Sequence, residues 1–420
     1  AGKTAARLHR DLYTPGLHRG LWFRWLGKPL LLCDPAQAAP ELREAFTLRR
    51  AHWPFEMVNT AHAWHWEATY PQPYGFTDDP SVPEQVNVSV AQNLRAEDGR
   101  VTNMSELNAR GRSFHDGRQD RSPGAVLHGH NFQEQWKRAF ELDPPFVMVT
   151  GWNEWIAGRW GSPGGPIVFV DQYDQEYSRD IEPARGAHGD AYYCQLVANV
   201  RRYKGAPPIP PVSPPRTIRI DGPFEQWEDV RPEFADHVGE TAPREAPGSS
   251  GLRYVERSGR NDLLAFRVAR DPRTVFFHAR TREPLRPRTG PGWMRLLVDA
   301  DRDPSTGWEG YEWSVSPRPD GRASPERNAG GWAWTETASL ECRAGGSELH
   351  IAVPRAALGL PEGTEELAIE FKWMDGIDAP ADALDLYVKG DVAPEGRFRY
   401  RYRFGQATPG PPRSGSRDRP

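Results

Sequence analysis

Ten residues divide this chain into two different kinds of polypeptide. From position 206 to 215 it reads Ala-Pro-Pro-Ile-Pro-Pro-Val-Ser-Pro-Pro. Proline lacks a backbone N–H and holds a fixed φ, so such a stretch joins neither a helix nor an inner strand. It predicts a semi-rigid, polyproline-like spacer. The hydrophobic period changes across it. Upstream, short apolar runs at 29–33, 55–60, 86–91 and 146–150 read as buried strands, and helical patterns stand between them. Phe132, Trp136, Ala139 and Phe140 share one helical face, and Tyr193, Leu196, Val197, Val200 and Tyr203 share another.

Downstream the period is two. Phe266/Val268, Val275/Phe277, Met294/Leu296/Val298, Leu349/Ile351/Val353, Leu367/Ile369/Phe371 and Leu384/Leu386/Val388 all alternate, and from Phe398 to Phe404 aromatics alternate with arginines. Many short alternating strands predict an antiparallel sandwich. The expected organisation is an α/β region over 1–205, a linker over 206–215, an all-β sandwich over 216–405 and a disordered tail over 406–420, rich in Gly, Pro, Ser and Arg. Strands interleaved with helices argue for a parallel sheet. About four strands can be counted before the linker, whereas a closed (β/α)8 barrel needs roughly 250 residues. The first region therefore reads as a partial (β/α)8-type barrel whose first strands are missing, or as an open sheet.

Composition narrows the function. Lys and Arg number 53 and Asp and Glu 57, for a net charge of −4. That balance gives no electrostatic reason to expect nucleic acid as a partner. No apolar run approaches the ~20 residues of a membrane helix. Cys33, Cys194 and Cys342 are odd in number and far apart, so they predict neither a disulfide framework nor a metal site. The chain opens without Met or an apolar signal core and reads as a fragment or processed product. Its 16 tryptophans are the unusual feature, because flat indole faces stack on the C–H faces of sugar rings as readily as they fill cores.

The sharpest motif follows the apolar run at 146–150. Gly151-Trp152-Asn153-Glu154-Trp155 places a carboxylate where a parallel strand ends, the position at which α/β sheets build their sites. Asn153 can donate to a sugar hydroxyl, and Trp152 and Trp155 can wall a pocket. Further carboxylates follow at Asp171, Asp174, Glu176, Asp180 and Glu182, close enough in sequence to raise one another's pKa values. A second aromatic cluster, His62, Trp64, His65, Trp66 and Glu67, follows the run at 55–60. Arg110 and His115 stand on a loop, and His128 and His130 precede a helix. The His-x-His spacing fits metal weakly, so sugar contacts are the better expectation for His130.

Trp152-Asn-Glu-Trp155 followed by Ile181-Glu-Pro183 resembles the WNEW…LEP pattern of the family 99-like glycoside hydrolases, over roughly residues 20–205. The resemblance implies a (β/α)8 barrel and O-glycosyl hydrolysis. It places Glu154 and Glu182 on the family's glutamates; Asp174, taken from the row of carboxylates and not from the resemblance, is the next candidate. The family carries a second catalytic Glu where this chain has Ala157. That departure leaves open either cleavage with another acid or a glycan-binding scaffold that has lost its chemistry.

Beyond the linker, Ile218-Arg-Ile-Asp-Gly222 with Trp227 resembles the opening of family-9-type, DOMON-like carbohydrate-binding modules, over about 218–404. Heme, which DOMON relatives bind, has no convincing His/Met ligand pair here. Asp299, Asp301 and Asp303 alternate before Gly307 and can present oxygens to Ca2+ or cap a turn. The chain is thus expected to act on a polysaccharide or oligosaccharide as a monomer, with no catalytic cofactor, outside the cell or in the periplasm. The compartment rests on the substrate class alone.

Overall fold

The computed structural model describes residues 2–405 apart from 55, 57, 58, 156, 157, 162, 163, 187, 248–250, 252, 258, 259 and 319. Ala157, the tail at 406–420 and half of the expected strand at 55–60 therefore lie outside the described residues; positions 56, 59 and 60 are not in a strand. The chain divides into two compact units at Ala206/Pro207.

In the first unit, β1 (Lys28–Leu32), β2 (Thr47–His52) and β3 (Ala63–His65) pair in parallel. A second parallel pair joins β4 (Gln85–Val88) to β5 (Phe146–Val149). Helix α1 (His130–Leu142) buries Phe132, Trp136 and Ala139 in one cluster with Val86 and Val88. The same cluster takes Tyr192 from α2 (Ala191–Lys204), whose last turn carries Arg201, Arg202 and Lys204 where cations favour the helix dipole.

The barrel expectation fails here. Among the described residues 32% are in strands and 18% in helices, and no (β/α)8 alternation is present, so the protein is mainly all-β. Between β4 and β5 the chain builds small antiparallel pairs, Gln92–Arg95 with Ala109–Arg110 and Phe114–His115 with Arg118–Gln119. A short apolar run looks the same in sequence whether its neighbours are crossover helices or hairpins, and that ambiguity produced the error.

Among the described residues the second unit has a main antiparallel sheet of twelve strands, with a separate two-stranded pair, Arg244–Pro247 and Arg253–Glu256, beside it in the chain; the twelve are β6 (Glu233–Ala235), β7 (Leu263–Arg270), β8 (Thr274–Thr281), β9 (Arg295–Asp299), β10 (Trp313–Pro317), β11 (Arg322–Asn328), β12 (Trp334–Glu336), β13 (Leu340–Gly345), β14 (Glu348–Pro354), β15 (Leu367–Asp375), β16 (Asp391–Ala393) and β17 (Tyr400–Phe404). Their spatial order is 6-7-8-14-13-11-10-9-15-16, with β12 on β11 and β17 on β15. The sheet curls so that its halves share one core. Phe266 of β7 stacks on Trp373 of β15 at 6.1 Å, and Phe277 of β8 meets Phe371 edge-on at 5.9 Å. The alternating run at Leu384/Leu386/Val388 is a short helix, Asp385–Val388, and not a strand. Three alternating residues are too few to separate the two periods.

Candidate functional site

The turn after β5 is held by a backbone ladder. Thr150 N donates to Val88 O at 3.0 Å, Ile181 N to Gly151 O at 3.1 Å and Glu182 N to Trp152 O at 3.0 Å. Glu154 N donates to Asp180 Oδ1 at 2.5 Å. Gly151 has φ +79°, and a Cβ there would sit 2.1 Å from Arg179 O, so only glycine allows the segments 151–154 and 179–182 to lie together. The two halves of the sequence motif thus form one local structure.

Arg179 is its hub. The guanidinium is 4% exposed and pairs with Glu67 Oε2 at 3.2 Å, with Glu154 Oε2 at 2.9 Å and with Asp171 Oδ1. Glu154 and Asp171 share the same Nη2, so their oxygens lie within about two hydrogen-bond lengths, ~6 Å. Burial works against the Arg179 charge, but Glu67, Asp171 and Glu154 outweigh it and raise its pKa. Burial also lifts Glu67 above the ordinary carboxylate range, although Arg179 pulls the other way. Asn93 N donates to Glu67 Oε1 at 2.9 Å. Asp180 is pushed up to about 6 by burial, and its Oδ2 has no hydrogen-bond partner among the described residues.

What faces outward is different. The Glu154 side chain is 47% exposed, Trp152 is 45% exposed, and Asn153 beside them is exposed. Trp152 leans edge-on against Tyr193 at 5.8 Å. Trp155 donates Nε1 to Glu182 Oε2 at 2.8 Å and stacks on His188 at 6.2 Å. Trp160, 65% exposed, ends the short strand Arg159–Trp160, which pairs antiparallel with Val168–Phe169.

The remaining expected residues divide. Trp66 is half-buried and packs on the exposed Trp53 at 5.5 Å, just past the paired ends of β2 and β3. Trp64 is a core residue, stacked on Phe146 at 4.5 Å and donating to Glu84 at 2.8 Å. His65 is buried against His52 at 4.4 Å, and burial with that neighbour pulls its pKa down to about 3. Neither presents a face to a ligand. Asp174 caps a turn, accepting from Glu176 N and Tyr177 N at 2.9 and 2.7 Å, and Glu176 is held by Ser113 and Gln119. His130 belongs to another group, 4.2 Å from His115 and 5.3 Å from His128, with Asp120 near. Arg179 was present in the sequence as one more cation beside a row of acids. Only the ladder shows that it gathers Glu67, 112 positions away.

In the second unit the converging oxygens belong to Asp299, Asp301 and Glu312, within 4.8 Å of one another. Asp303 is not among them; it accepts from Ser305 N and Oγ at 2.9 and 2.6 Å. The hairpin largely satisfies itself. Asp299 is paired with Arg399, and Glu312 accepts from Ala300 N and from Thr306 Oγ1.

No family model matches the chain, and no curated protein does. Among solved structures, one from Bacteroides uniformis ATCC 8492 named a "putative carbohydrate-binding protein" is similar at 13% identity, over 33% of this chain and 72% of that one, with a TM-score of 0.20. At that score the similarity decides neither fold nor ligand. Among the described residues no helix is long and apolar enough to cross a membrane.

Proposed function

We propose that the first unit binds a glycan at the surface formed by Trp152, Asn153, Glu154 and Trp155. The observation that carries this reading is the pairing of a half-exposed carboxylate with a half-exposed indole on a turn rigidly tied to a buried arginine. An indole face stacks on a sugar ring while an adjacent ionised carboxylate accepts its hydroxyls. The Arg179 pair keeps Glu154 aimed, so less ordering is needed on binding. A location outside the cell or in the periplasm would follow from such a ligand.

A second reading, hydrolysis in the manner of the family 99-like enzymes, is favoured by Glu182. It is half-buried, its backbone is bonded to Trp152, and it offers a further carboxyl on the same turn. Glycoside cleavage needs an acid and a base or nucleophile. The acids that share Arg179 with Glu154, namely Asp171 and Glu67, are buried on it and poorly placed to hand a proton to a ligand, which is why binding is preferred.

Glycan-array screening of the full chain tests the first reading. Trp152→Ala should abolish the retained signals, while Glu154→Gln, which keeps shape and reach, should weaken them modestly. Trp152→Ala binding equal to wild type would rule out this surface. If a bound glycan is also cleaved, Glu154→Gln should slow cleavage by at least ~10²-fold, the usual worth of a positioned acid or base.

A further inference from the structure

We propose that Asp236, Glu240 and Asp391 hold a hard divalent cation, Ca2+ in preference to Mg2+, beside the start of β7, which Asp236 after β6 and Asp391 on β16 both touch. Asp236 follows β6 directly, its N donating to Leu264 O at 3.0 Å, and Asp391 opens β16. The loop after β6 brings in Glu240. One oxygen from each residue lies within 4.8 Å of the other two.

The unusual feature is what these oxygens lack. Asp391 is 2% exposed; its Oδ2 accepts from Leu263 N at 2.7 Å, but Oδ1 has no hydrogen-bond partner among the described residues. Asp236 Oδ2 and Glu240 Oε2 are buried in the same condition. The same unit shows how a buried carboxylate is otherwise handled. Asp375, equally buried, accepts at Oδ2 from Asn261 N and Nδ2 at 2.6 and 3.0 Å and at Oδ1 from Met294 N at 2.6 Å. Two cations lie near. Lys372, fully buried on β15, donates to Pro394 O, and Arg260 donates Nη2 to the backbone oxygen of Glu240 at 2.9 Å.

Leaving one buried carboxylate oxygen unpaired is costly, and three facing one another are more so unless a cation or shared protons neutralise them. The donor set is all oxygen, carries formal charge −3 and comes from three separate stretches of chain. That suits Ca2+, which accepts six to eight oxygens in irregular geometry. Mg2+ requires a near-ideal octahedron and holds its waters. This site is separate from the Asp299–Glu312 hairpin, whose oxygens already have donors or an arginine.

The test uses the full chain. Equilibrium dialysis against calcium should give one bound equivalent fewer for Asp391→Asn than for wild type. Calcium in place of chelator should raise the wild-type melting temperature by several degrees, and this response should vanish in Asp391→Asn and persist in Asp301→Asn at the hairpin. Asp236→Asn, at a half-buried position, reads the same loss if Asp391→Asn fails to fold. The assignment is overturned if wild type binds no calcium, in which case the three carboxyls share protons, or if the asparagine variants bind as much as wild type.

Discussion

Replacing Arg179 by methionine removes the charge at the centre of the first unit and keeps most of the side chain's bulk. Glu67 and Asp171 then remain buried with no cation, while Glu154 can turn to water. Breaking a buried ion pair from one side costs about 3–5 kcal/mol. For a unit of this size each kcal/mol moves Tm by roughly 2–4 °C, so a drop of about 6–20 °C is expected. The pH dependence checks the cause. In the variant Glu67, which burial already lifts, loses the arginine that pulls it down, so its folded pKa lies above its unfolded one. The folded form therefore binds the extra proton, and its stability is retained at low pH and lost as pH rises. The gap between variant and wild type, followed by calorimetry of the full chain, should narrow from pH 7.5 to pH 5. Glu154→Gln is the control, because an exposed ion pair contributes only ~0–1 kcal/mol. An Arg179→Met melt within about 1 °C of wild type, or a gap that does not change with pH, would refute the account of Arg179 as a buried counter-charge.

Gly151→Ala should lower Tm by several degrees and abolish glycan binding, since it places a methyl against Arg179 O at a left-handed φ; unaltered binding would show that the ladder bends freely. His65, held near a pKa of 3 and so neutral when folded, predicts stability that is full above about pH 6.5 and lost as pH falls toward 3, because the unfolded imidazole takes the proton. Melts of His65→Asn should show a shallower acid slope, and an unchanged slope would assign it elsewhere. Phe277→Ala should cost about 3–5 kcal/mol, measured by urea denaturation, if the two halves of the curled sheet depend on one core.

The sequence was most legible where its periodicity ran long. The alternations at Phe266/Val268, Val275/Phe277 and Leu367/Ile369/Phe371 lie within β7, β8 and β15, because eight or nine residues of period two have few other solutions. It misled where the signal was short. Three alternating residues near Leu386 form a helical turn, and a few buried parallel strands suggested a barrel that is not there. At the candidate site Glu154, Trp152 and Asn153 stand exposed together, and Trp155 with Glu182 is joined to them. Trp64 and His65 could not be told from ligand contacts, because a buried and an exposed indole look alike in one sequence. Arg179 escaped notice because its importance lies in bonds to positions 67, 154 and 171, a property of the folded backbone and not of any local pattern.

The ladder between 151–154 and 179–182 has a topological consequence. Both ends of the intervening loop are tied to each other by backbone bonds and to the hub by Arg179. The exposed positions around Pro166 and Ile167 are therefore not needed to bring the ends together. A protease nick there should leave two fragments that stay associated and keep the Glu154 surface assembled. The same spot should accept an inserted peptide or an attached dye, making it a handle for labelling the site without rebuilding it.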